Sequence, residues 1–68
     1  MNRSSRLRTI QIEDEIYSET QISNMTYNEL HMLVSFCDNI KQLNFIKHYT
    51  NIERVQVYID NLIIKCGL

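Results

Sequence analysis

Sixty-eight residues leave room for one small domain, 1–68, and exclude a multidomain enzyme. A composition of 44% hydrophobic and 22% charged residues excludes a disordered chain. The net charge of −1 speaks against a nucleic-acid binder that is basic all over.

A domain this short buries only about 60% of the surface its unfolded chain exposes, so its stability as a lone protomer is marginal. Disulfides, a metal or a second copy of the chain usually make up the deficit. Cys37 and Cys66 are too few for a disulfide framework, and folding the chain back about Tyr49-Thr50 leaves them about a helical turn out of register. Two free thiols are expected. No apolar run reaches the length of a membrane span, and the N-terminal residues lack the apolar stretch of a signal peptide, so the expected compartment is the cytoplasm and no membrane partner is expected. The chain has no Pro, Trp or Ala and is rich in Ile, Asn, Tyr and Lys. This bias is that of an AT-rich gene, as in phages, plasmids and mobile elements, and it points toward an accessory regulator or inhibitor.

In chain order, residues 1–6 read as a basic flexible arm, with Arg3 and Arg6 followed closely by Arg8. Residues 7–12 read as a strand, because Thr9-Ile10-Gln11-Ile12 alternates polar and β-branched apolar positions with a period of two. Glu13, Asp14, Glu15 and Glu19 form an acidic cluster. Asp14 to Ile22 fits either a short helix or a second strand, since so short a segment carries too few periods to decide.

Thr26 and Glu29 have the spacing of a capping box, and Met25 and Leu30 hold the hydrophobic-staple positions, so a helix starts at Thr26. Its inner face is Leu30, Leu33, Val34, Cys37 and Ile40. Two continuations are open. A continuous helix to about Lys47 creates a second apolar face from Met32, Phe36, Leu43 and Ile46. A break at Asp38-Asn39, restarted by a capping box from Asn39 to Gln42, instead rotates Leu43 and Ile46 into one core.

Thr50 and Glu53 repeat the capping-box spacing, which predicts a last helix from Asn51 to about Cys66, closed by Lys65 and Gly67. Ile52, Val55, Ile59, Leu62, Ile63 and Cys66 fall in one stripe, and Val57 and Ile64 lie on the opposite side.

Chemistry finds little footing. The only soft metal ligands are His31, Cys37, His48 and Cys66, without the close pairs that structural zinc needs, and Glu13 to Glu15 lack the spaced oxygen ligands of a calcium loop. Cys37 with a histidine would need a lowered thiol pKa, an oxyanion hole and a cleft to act as a nucleophile. No catalysis, cofactor or metal is therefore expected.

Arg8-Thr9-Ile10-Gln11-Ile12-Glu13-Asp14-Glu15-Ile16-Tyr17, followed by Thr26-Tyr27-Asn28-Glu29-Leu30, resembles the ribbon-helix-helix DNA-binding proteins over residues 8–37. The resemblance implies a strand that pairs with its copy in a dimer and lies in the major groove, with Thr9 and Gln11 facing bases and Ile10 and Ile12 facing the core. It also implies a phosphate-binding helix opened by Thr26. Arg3, Arg6, Arg8, Thr9 and Gln11 would then be the DNA contacts. Residues 40–68 lie outside the resemblance.

The expected fold is mostly α: a hairpin or bundle of two or three helices over about 26–66, preceded by a short N-terminal strand or arm. Surplus apolar surface makes the expected function non-catalytic protein binding, as a homodimer or with a larger host or cognate protein, through Met32, Phe36, Leu43, Ile46, Val57 and Ile64. The alternative is a dimeric ribbon-helix-helix-like repressor.

Overall fold

A computed structural model describes residues 8–66; the basic arm of residues 1–6, Leu7 and the last two residues lie outside them. Two strands, β1 (Thr9–Ile12) and β2 (Glu15–Ser18), precede four helices, α1 (Glu19–Asn24), α2 (Tyr27–Ser35), α3 (Ile40–Tyr49) and α4 (Glu53–Cys66). The mostly helical class expected from the sequence is thus observed, with three helices over the span expected to hold two or three and one more before it.

The strands form an antiparallel hairpin in which Thr9 faces Ser18 and Ile12 faces Glu15. Along β1, Thr9 and Gln11 are exposed, Ile10 is half-buried and Ile12 is buried, the alternation that the period of two predicts. Within the described residues the strand begins at Thr9 rather than at Leu7, which lies outside them. The ribbon resemblance implies that this strand pairs with its copy; here β1 pairs instead with β2 of its own chain. A tight two-residue turn at Glu13-Asp14 permits this, with Glu13 at a positive φ of 60°.

The ambiguous stretch after the turn contains both alternatives in succession. Glu15–Ser18 completes the hairpin, and Ser18 then caps α1, its Oγ accepting from the Gln21 N–H while the Gln21 side chain accepts from the Ser18 N–H. The same reciprocal box opens α2, from Thr26 and Glu29, and α3, from Asn39 and Gln42. Three helix starts are therefore fixed by residues three apart in sequence, each satisfying backbone donors that a helix cannot pair internally.

Thr50 departs from the expected pattern. Its backbone N–H donates to the Ile46 carbonyl, so it terminates α3 rather than opening α4, and its hydroxyl accepts from the Ile52 N–H. The last helix accordingly starts at Glu53, with the Ile52 carbonyl accepting from Val55 and Gln56. From α4, the Gln56 side chain donates back to the Thr50 carbonyl at 3.0 Å, so a residue of one helix caps the end of its predecessor.

Between α2 and α3 the chain breaks. Phe36 and Cys37 donate to the Leu33 and Val34 carbonyls, a tightening of the last turn, before Asn39 restarts the helix. The break decides the core. Ile12 and Ile22 from the N-terminal part meet Leu30, Leu33 and Val34 of α2, Leu43 and Ile46 of α3, and Val55 and Ile59 of α4. Leu43 and Ile46, assigned by the continuous-helix alternative to an interface, are 5% and 0% exposed and belong to this core. Ile40, expected on the inner face, is exposed, because the restart at Asn39 changes its phase relative to Leu33 and Val34. No helix among the described residues is long and apolar enough to cross a membrane.

Candidate functional site

With Leu43 and Ile46 withdrawn into the core, the remaining interface candidates are Met32, Phe36, Val57 and Ile64, and all are exposed. Met32 near the end of α2 and Phe36, its C-terminal cap, lie four apart and line the same groove. They are 62% and 45% exposed, and with Tyr17, Met25 and Leu33 they line a shallow apolar groove of about 270 Å³. Asn28 and Glu29 complete its lining.

The groove is assembled by three elements. Strand alternation turns Tyr17, opposite Ile10 in the hairpin, toward the core side. Met25, in the link between α1 and α2, also packs against the core from its staple position. The inner ridge of α2 supplies Leu33, and its next ridge supplies Met32 and Phe36. Val57 and Ile64 stand on the outer side of α4 and do not line this groove, so the structure brings together only part of the expected surface. Tyr17 and Met25 are the members that periodicity along a single helix misses.

Beside it, α2 and α4 are joined by rings and a cation. His31 stacks on Tyr58 with ring centroids 4.7 Å apart, Tyr27 lies 5.8 Å from His31, and the Arg54 guanidinium sits 5.1 Å over the Tyr27 ring. This cluster anchors α2, and with it Met32 and Phe36, to the last helix.

On another face, a larger open groove of about 910 Å³ runs between β1 and the outer side of α3. Arg8 and Thr9, expected as DNA contacts, line it; Gln11 does not, its side-chain amide donating to the Glu13 carbonyl. Arg3 and Arg6 lie outside the described residues. Lys41, Phe45 and His48 enter the same groove from α3, at the spacing of one helical face.

Among the described residues, no three His, Cys, Asp or Glu side chains come together as a metal site. Cys37 is a free thiol whose Sγ donates to the Leu33 carbonyl; the Cys66 side chain lies outside the described part. Burial, reinforced by the neighbouring Asp38 carboxylate, pushes the Cys37 thiol up to about 11. That is the wrong direction for a nucleophile at neutral pH.

No family model, curated protein or solved structure matches this chain.

Proposed function

We propose that the protein is a small, non-catalytic regulatory or inhibitory protein that acts by binding another protein, either a second copy of itself or a larger partner. Its working surface is the α2 groove. The observation that carries this reading is the exposure of Met32 and Phe36 at the rim of a groove whose floor is apolar. Leaving about half of each of these two large apolar side chains in water forgoes about 1–1.5 kcal/mol each, which a docked apolar surface recovers. A fixed helix presenting residues four apart suits a partner that inserts or receives a helical ridge.

The test pairs sedimentation with recovery of partners from the native host. Phe36→Glu and Met32→Glu are expected to abolish self-association or partner recovery while far-UV circular dichroism stays that of the parent. A parent that sediments as a monomer at every concentration and recovers no partner sinks the proposal.

A further inference from the structure

Charge is unevenly distributed over this fold. Arg8, Lys41 and Lys47 line the groove between β1 and α3 together with His48, whereas none of the Asp or Glu side chains lines it. Lys47 is neutralised by Asp60 at 2.6 Å, and Glu19 accepts from the Arg8 backbone N–H. The Arg8 guanidinium and the Lys41 ammonium make no ion pair among the described residues. Two cations thus stand on opposite walls of the groove, one from the strand and one from the helix.

Between the cations and the α3–α4 turn lie two aromatic rings. Phe45 and Tyr49 approach to 4.8 Å between centroids with their planes tilted by 56°, and the His48 ring meets Tyr49 edge-on at 4.6 Å. Phe45 and Tyr49 are half-buried, so each rests on the core and retains part of its surface in the groove. From Lys41 to His48 the helix rises roughly 10 Å at 1.5 Å per residue, enough to follow a short extended ligand.

We infer that this groove binds single-stranded nucleic acid, with Arg8 and Lys41 against the phosphates and the Phe45–Tyr49 pair offering a stacking surface to bases. Cations that track a backbone beside aromatic rings that accept any base are the recurring means of holding single strands. A duplex keeps its bases paired and stacked, away from such rings. An acidic peptide satisfies the cations but makes no use of the aromatic pair. The site is separate from the α2 groove and does not depend on it.

Fluorescence anisotropy of the full chain with a labelled oligothymidylate of about 12 nucleotides tests the inference. Saturable binding is expected, and if Arg8 and Lys41 each neutralise one phosphate, affinity should fall about 25-fold between about 20 and 200 mM salt. Phe45→Leu, which retains apolar packing but removes the π face, should weaken binding by roughly five- to a hundredfold. Lys41→Glu, at an exposed position, is expected to remove most binding, while Lys65→Glu makes the same charge change on α4 and should leave most of it intact. Amide chemical-shift changes on adding the oligonucleotide should centre on Lys41, Phe45 and His48. Circular dichroism matching the parent is required of each variant, and the shift map reports on the unmodified chain should Phe45→Leu fail to fold. Any of four results overturns the inference: no saturable binding at low salt, equal loss in Lys65→Glu, tighter binding of a matched duplex or of polyglutamate, or thymidine monophosphate binding as well as the 12-mer.

Discussion

The side-chain amide of Gln42 donates to the backbone carbonyl of Gln11 at 2.9 Å, tying the start of α3 to the N-terminal strand. Gln42 is 7% exposed, and its Oε1 also accepts from the Asp38 and Asn39 N–H groups. One side chain therefore satisfies the break between α2 and α3 and fastens the hairpin over it. Gln42→Leu should cost about 2–4 kcal/mol, because it leaves more than one backbone group unpaired in a buried place. Gln42→Glu retains the acceptor that caps α3 but sets a carboxylate against the Gln11 carbonyl. Urea denaturation should therefore place Gln42→Glu no closer to the parent than Gln42→Leu; a parent-like Gln42→Glu would show that the link to the hairpin contributes nothing.

The two threonines with capping-box spacing are expected to respond differently. Thr26→Ala removes the acceptor for the Glu29 N–H and should destabilise by about 0.5–2 kcal/mol. Thr26→Ser should restore most of that loss. At Thr50, Ser should likewise substitute for Thr in accepting from Ile52, but Glu53→Gln or Ala should have little effect, since Glu53 makes no reciprocal capping bond there. At Glu29, by contrast, Ala should be costly, because that carboxylate accepts from the Thr26 N–H. Thermal melts of the Glu29 and Glu53 variants check the distinction, and equal losses would contradict it.

Glu13 occupies a left-handed backbone conformation with φ of 60°. A side chain there costs about 1–2 kcal/mol that glycine avoids. Glu13→Gly should therefore raise stability by about 0.5–1 kcal/mol, after allowance for the greater freedom of glycine in the unfolded chain. An unchanged or lowered denaturation midpoint would place the strain elsewhere.

Exposed and buried apolar positions should separate cleanly under substitution. Ile46→Ala, in the core, is expected to cost about 2–5 kcal/mol. Ile64→Glu, at a position 78% exposed, should change stability by less than about 0.5 kcal/mol. Because Ile64 lies away from the α2 groove, its charged variant should also leave association intact, whereas Phe36→Glu disrupts it. Loss of association in both would require a surface extending over α4.

Cys37 should alkylate slowly at neutral pH, with its rate rising only toward about pH 11, because burial and Asp38 keep the thiol protonated. An unfolded chain releases this proton from a thiol of ordinary pKa 9.0, so the contribution is intact below that value and lost as pH rises toward about 11. Peptide-level mass spectrometry after timed iodoacetamide treatment isolates Cys37 from Cys66; rapid modification of Cys37 at pH 7 would contradict the buried geometry.

Capping boxes and strand alternation act between residues at most a few positions apart, so the helix start at Thr26 and the inward placement of Ile10 and Ile12 follow from the amino-acid pattern alone, whereas the box at Asn39 made a restart there one of two continuations. The box at Ser18 and Gln21 has the same local basis and was equally legible in the spacing. Tertiary structure alone decided between a continuous and a broken middle helix: both satisfy local propensity, and only the break buries Leu43 and Ile46 against Ile12, Val55 and Ile59. Thr50 shows the limit of the local rule. Its spacing to Glu53 matches that of Thr26 to Glu29, but its N–H pairs with Ile46 and its carbonyl with Gln56, so the hydroxyl closes a turn between helices. Both grooves belong to this second category. Tyr17 reaches Met32 and Phe36, and Arg8 shares a groove with Lys41, only because the hairpin is folded onto the helices, which no pattern along a single element specifies.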